Sequence, residues 1–181
     1  MENYSETLAL LNLFLPLLSF IILILFGKKI GASAHWIALT LIGSTLGIAV
    51  SFFVNVFVNN GQPILETSVR WFSTGSFSVN LGFLINNEAA IMLLVVALIS
   101  FLVHFYSVGY MQGDPRYSRY FAYLGIFTFS MNGIVLADNL IMMYIFWELV
   151  GLSSYLLIGF WFEKNSAADA CKKAFLTNRV G

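Results

Sequence analysis

Glu148 is the only charged residue in the run from Asn139 to Phe162, which is otherwise built of apolar, small and aromatic residues. On a helix it would lie about ten residues from the start of that run and some fourteen from its end. At ~1.5 Å per residue this places it roughly 15 Å deep. An ionised carboxylate at that depth in a bilayer costs about 2.5–3.5 kcal/mol on insertion scales. Two escapes exist: burial neutralises it by protonation, or a nearby cation holds it ionised. A group poised between those two states accepts and releases a proton, which is what a proton relay requires. The positions one helical turn away are Tyr144, Ile145, Gly151 and Leu152, so any cation must come from another helix. The plainer alternative is a permanently protonated acid bonded to backbone or tyrosine.

Other ionisable residues offer weaker chemistry. Arg179 falls about a dozen residues into the last helical segment, deep enough to need a partner or a wet cavity. His104 lies near the inner end of an earlier apolar run. Histidine titrates near neutrality and so suits a relay, but an interfacial histidine bonded to Tyr106 or a backbone carbonyl explains it equally well. Lys172 and Lys173 sit closer to the surface, where snorkelling accounts for them. Asp138 reads as a helix cap, with shaping of an outer exit as the alternative. Gly151, Ser153, Ser154 and Gly159 permit close helix approach. Trp36, Trp71, Trp147 and Trp161 suit membrane-interface anchoring. Cys171 is the one cysteine, which excludes an internal disulfide and leaves it without a metal-site partner. Neither a glycine-rich phosphate loop nor a Cys or His cluster occurs, so the chain carries no nucleotide, iron–sulfur or haem motif.

The elements that hold these residues follow from composition. The 181 residues are 59% hydrophobic and 10% charged, against about 25% charged in soluble domains; mean hydropathy is +0.84. Uncharged runs long enough to span a bilayer predict spans at about 7–27, 36–58, 88–109, 119–137 and 139–162, with a sixth helix starting near 167. The fold class expected is an all-α polytopic transmembrane bundle forming one membrane domain over 1–181. Its last helix is expected to be incomplete, as in a fragment of a longer protein. A signal peptide is the wrong reading of the first run. Glu2 and Glu6 precede it and Lys28-Lys29 follow it, the reverse of signal-peptide charge order, despite Ala32-Ser33-Ala34. With the N-terminus outside, every basic residue except Arg70 falls in an inner loop or the last helix, a strong positive-inside signal.

Local chemistry marks the joints. Asn86-Asn87-Glu88 offers a cap and a first-turn acid. Gly113-Asp114-Pro115 is a turn, and Ser166 with Asp169 reads as a capping box. Asp138-Asn139 leaves so short a turn that the flanking helices must be antiparallel neighbours. The outer segment 59–87 is different, because residues alternate apolar and polar from Leu65 to Trp71 and again from Phe77 to Phe83 around Ser73-Thr74-Gly75. That pattern predicts a β-hairpin, which is marginal alone and so must lie on the helix ends or on a neighbouring subunit.

Several of these residues together resemble a known family. They are the run Phe105-Tyr106-Ser107-Val108-Gly109-Tyr110-Met111, then Arg119-Tyr120-Phe121-Ala122-Tyr123-Leu124 and Asp138-Asn139-Leu140. The stretch from Trp147-Glu148-Leu149-Val150-Gly151 through Gly159-Phe160, Lys173-Ala174-Phe175 and Asn178-Arg179-Val180-Gly181 completes them. The chain is similar to chain L, or subunit 5, of proton-pumping NADH:quinone oxidoreductase, respiratory complex I. The resemblance is dense from 101 onward. It implies that Glu148 is the family's buried glutamate, which works in proton translocation with a lysine on a later, broken helix. That lysine would fall after Gly181. Arg179 matches the arginine of an Arg-Val-Gly-Asp stretch whose Asp would come next. Where the family has an Asp followed by small polar residues, this chain reads Asn86-Asn87-Glu88-Ala89.

The resemblance further implies a subunit without a redox site, with NADH, FMN, iron–sulfur clusters and quinone bound by other subunits. Its partners would be other membrane-arm subunits, especially the neighbouring antiporter-like one, and the lipid bilayer, with no nucleic acid. Its place would be a bacterial inner membrane. Two alternatives stay open: the large subunit of a multisubunit cation/proton antiporter, and a structural or assembly subunit in which Glu148 is inert. Without the later lysine, Glu148 is expected to stay unpaired or protonated within these residues.

Overall fold

The computed structural model describes residues 2–58, 65–74 and 77–180. In chain order they form α1 (Glu2–Ile30), α2 (Ala34–Val58), strands β1 (Leu65–Thr74) and β2 (Phe77–Ile85), then α3 (Asn87–Tyr110), α4 (Tyr117–Leu136), α5 (Leu140–Ile158) and α6 (Asn165–Val180). Each run expected to be helical is helical. Gly31, at φ 57°, turns the chain between α1 and α2, a conformation that costs glycine little. α5 ends at Ile158 rather than 162: the Gly159 N–H makes the last helical bond, to the Tyr155 carbonyl at 3.0 Å, and the Phe160 N–H tightens to the Leu157 carbonyl at 3.3 Å. Phe160 then leaves the helix axis to pack edge-on against Tyr120 of α4, ring centroids 5.2 Å apart.

Among the described residues, three stretches are long and apolar enough to cross a membrane: Ser5–Val56, which takes in both α1 and α2, Asn87–Tyr110, and Leu140–Ile158. α4 is not among them. Its buried residues include Thr128, Ser130 and Asn132 as well as Phe121 and Leu136. It packs against α1, α2, α3 and α5, so it meets protein where an outer helix would meet lipid, and its polarity is tolerated there. One polar contact follows from covalent structure. Pro16 lies inside α1 and has no N–H for the carbonyl four residues back. That carbonyl, Asn12 O, instead accepts from Asn132 Nδ2 of α4 at 3.1 Å. The Asn12 side chain in turn donates to the Thr45 carbonyl of α2 at 3.1 Å. A proline that would otherwise leave an orphan acceptor thus ties three helices together.

The predicted hairpin is present. β1 and β2 pair antiparallel from Leu65↔Ile85 to Thr74↔Phe77, with a bulge between Arg70 and Phe72. Its turn, at Gly75, lies outside the described residues, as does the segment 59–64. Leu65 and Ile85 are buried in one cluster with Ala9, Phe52, Leu93 and Leu136, so the hairpin covers the ends of this chain's own helices. Gly82 makes the fit possible: a Cβ there would collide with the Asp138 carboxylate and the Thr67 carbonyl. Asn86 caps α3, its Oδ1 accepting the Ala89 N–H at 2.8 Å. Two cap expectations need correction. Asn139, not Asp138, caps α5, accepting the Met142 N–H at 2.9 Å, because α5 begins one residue later than the cap at 138 would require. α6 begins at Asn165, which puts Ser166 inside the first turn rather than at the cap, and Asp169 lies 3.9 Å from Lys172 instead.

At the opposite end of the bundle, Arg116 ties the start of α4 to the α5–α6 turn through Glu163 at 2.9 Å. The hydrogen bond from Arg116 holds the Glu163 carboxyl below its ordinary range. A carboxylate with a lowered folded value stabilises above its unfolded value and loses that contribution as pH falls through the folded one. Wild type and Glu163→Gln should therefore differ in melting temperature at neutral pH and converge in acid, with a small difference throughout because the pair is exposed. Melting curves across pH 3–7 check this; a gap that widens in acid would refute it.

Candidate functional site

α5 and α6 are antiparallel neighbours joined by the short turn after Gly159, so residues equally far from that turn stand level. The long side chains of Glu148 and Arg179 meet across this contact: Arg179 Nη1 lies 3.2 Å from Glu148 Oε2. The Glu148 side chain is 22% exposed and that of Arg179 52%, so one side of the pair is open. The Arg179 guanidinium also lies 5.2 Å from the Phe175 ring. Glu148 was expected to stay unpaired or protonated within these residues; the structure sets a cation, Arg179, beside it. With α5 spanning 140–158, the carboxylate lies roughly 12–15 Å from either end of its helix, close to the middle. A carboxylate held by a single cation at that depth can keep its charge, and it can take a proton when the cation moves away.

Small residues set the distance between the two helices. A Cβ on Gly151 would fall on the Asn178 side-chain nitrogen, and one on Gly159 would lie 3.0 Å from Cys171 Sγ. Between them Tyr155 meets Phe175, ring centroids 5.7 Å apart. Gly151, Tyr155 and Gly159 recur every four residues, one stripe of α5 facing α6. Cys171 is buried in that contact, which gives it a packing role. Gly151→Ala should be absorbed by rotation of Asn178. Gly151→Val should push α6 away from α5, costing about 1–3 kcal/mol as overpacked contacts do. Melting in detergent tests the contrast: equal losses from both substitutions would sink it.

His104 belongs to a separate place, the α3–α4 contact. It is fully buried, with Nδ1 2.8 Å from the Ser100 carbonyl and its ring 6.0 Å from that of Phe121. The Ser100 hydroxyl meets the Thr128 hydroxyl of α4 at 2.5 Å. Of the two bonded partners expected for His104, the backbone carbonyl is found and Tyr106 is not: Tyr106 points outward and stacks on Tyr110. Nε2 has no hydrogen-bond partner among the described residues. Among the described residues nothing links His104 to Glu148 or Arg179. Lys172 and Lys173 are exposed on α6, and Asp138 lies beside Gly82 under the hairpin.

Sequence reasoning missed the buried trio Asn12, Thr45 and Asn132. The signal was available in Pro16, whose position implies an orphan carbonyl at Asn12. What lay out of reach was which helix would supply the donor.

The profile of "NADH-Ubiquinone oxidoreductase (complex I), chain 5 N-terminus" matches residues 71–121. That of "NADH:quinone oxidoreductase/Mrp antiporter, TM" matches 137–181; the first includes His104 and the second both Glu148 and Arg179. NAD(P)H-quinone oxidoreductase subunit 5 from the chloroplast of Chlorokybus atmophyticus is 49% identical over 138 residues, 75% of this chain and 21% of that protein. NAD(P)H-quinone oxidoreductase chain 5 of Synechocystis is 53% identical over 121 residues, 67% of this chain and 18% of that protein. This chain therefore spans about a fifth of the length of the curated relatives it matches. A chain in the structure of the membrane-bound sulfane sulfur reductase, an archaeal respiratory membrane complex, shares the fold. Its TM-score is 0.77 at 22% identity, over 93% of this chain and 33% of that one.

Proposed function

Because the chain belongs to the NADH:quinone oxidoreductase chain 5 family, we propose that it is a proton-translocating membrane-arm subunit of such a complex. It is an integral membrane protein whose relatives are subunits of an oxidoreductase. The observation that carries the reading is the Glu148–Arg179 pair at 3.2 Å, set midway along a helix apolar enough to cross a membrane. A carboxylate there is costly, and it serves a purpose if its proton affinity changes when the cation beside it moves. Glu148 is the proton-carrying group, Arg179 the charge that tunes it, and His104 a second relay across the α3–α4 contact.

The reading extends to topology and setting. α1 to α5 are five complete spans and α6 the start of a sixth, with the N-terminus and the hairpin on the outer side. The membrane is a bacterial inner membrane. Redox chemistry belongs to other subunits, which bind NADH, FMN, iron–sulfur clusters and quinone, and the neighbouring antiporter-like subunit is the nearest partner. The match of residues 71–121 to a chain 5 profile favours this over the large subunit of a multisubunit cation/proton antiporter. The test is transport in vesicles that hold the complex assembled on this chain. With NADH and quinone supplied, the lumen pH should shift, and the shift should collapse when Glu148 is replaced. A complex that oxidises NADH but whose proton count ignores this chain's carboxylate would overturn the proposal.

A further inference from the structure

At the end of the bundle opposite the hairpin, α1, α3 and α4 part to leave a cleft of about 760 Å3. Three cations line it, Lys28, Arg116 and Arg119, against one acid, Asp114. Asp114 is already engaged, accepting the Arg116 backbone N–H at 2.7 Å and the Trp161 indole N–H at 3.1 Å. Arg116 is engaged too, with Glu163. Among the described residues no carboxylate pairs with Lys28 or Arg119. Two cations on separate helices therefore line one cavity without a counter-charge, and an anion entering between them would be attracted by both.

The rest of the cleft decides which anion fits. Below the basic rim its walls are apolar, formed by Leu23, Ile24 and Val108. A free inorganic anion gains nothing from such walls. A molecule with a charged head and an alkyl tail gains from both, and basic pockets between membrane helices suit anionic lipid headgroups.

We propose that this cleft binds an anionic phospholipid, its phosphate held by Lys28 and Arg119 and the upper part of its acyl chains lying against Leu23, Ile24 and Val108. The proposal rests on the functional reading only in taking α1, α3 and α4 as membrane-spanning, and not on proton transport. The experiment uses the assembled complex and a phosphatidylglycerol carrying a photoactivatable group in its acyl chain. Labelled peptides are mapped by mass spectrometry. Label is expected on the peptides holding Leu23–Ile24 and Val108. Each basic residue near the surface is worth about a fivefold change in affinity, so Lys28→Gln and Arg119→Gln should each weaken labelling about that much. Lys28→Arg should retain it, and Lys173→Gln, on α6 away from the cleft, should leave it unchanged. Glu148→Gln should also leave it unchanged, which separates this site from the transport reading. Equal labelling by a phosphatidylcholine probe would overturn the proposal, as would indifference to both charge substitutions. Displacement by millimolar inorganic phosphate would assign the site to a free anion and overturn the lipid assignment.

Discussion

Glu148→Gln is expected to cut proton transport by about tenfold or more while leaving the amount of assembled complex unchanged. Gln has nearly the shape of Glu and fits the same place beside Arg179, 3.2 Å away in the present pair, so packing between α5 and α6 should survive. What it lacks is a site for a proton. Loss of transport with intact assembly therefore points to chemistry, whereas loss of both would point to folding. Glu148→Asp should fall between the two, since it keeps the ionisable group but draws it back by one methylene. Arg179→Gln should also impair transport, because no other cation pairs with Glu148 among the described residues. The measurement is proton uptake per NADH oxidised in vesicles, normalised to complex content. Transport equal to wild type in Glu148→Gln at equal content would end the assignment.

Gly133→Val is expected to have the largest effect on stability. A Cβ at Gly133 would collide with three atoms of the Phe146 ring. That ring is also packed edge-on against Phe129 of the same helix, centroids 5.4 Å apart, so it has little room to withdraw. Overpacking of this kind typically costs about 1–3 kcal/mol, and occasionally more. Valine adds further bulk at a site where one carbon already fails to fit. The damage should reach the functional site, because Phe146 precedes Glu148 by two residues on α5. Melting in detergent should fall by several degrees, and the yield of membrane-inserted protein with it. Phe146→Leu in the Gly133→Ala background should recover part of the loss, which it cannot do if Gly133 matters only for backbone flexibility. Absence of any such coupling between the two positions would refute the account.

The contrast between these two positions explains what sequence could and could not reveal. Glu148 was legible because its cost depends on depth alone, and depth follows from counting residues along an apolar run. The helices and the hairpin were legible for the same kind of reason. Uncharged length and period-two alternation are local properties, and they marked 65–71 and 77–83 as strands, which the structure extends to Leu65–Thr74 and Phe77–Ile85. The end of α5 was less so, because Phe160 leaves the helix to meet Tyr120 of another element, and composition alone continued the span to Phe162. Gly133 carried no sequence signal, since nothing local says that a phenylalanine thirteen positions later will lie on it.

By itself, then, the sequence determined an apolar bundle with a costly carboxylate on its fifth helix and a hairpin between its second and third. Those follow from the free energy of placing each residue in water or hydrocarbon, a one-body property. Only the tertiary structure decided that Arg179 pairs with Glu148, that Asn132 answers the carbonyl freed by Pro16, and that α4 is enclosed by its neighbours. Those are pairwise facts. They depend on which helix faces which and at what height, and the height is set by turn lengths and by glycine contacts such as Gly151 with Asn178.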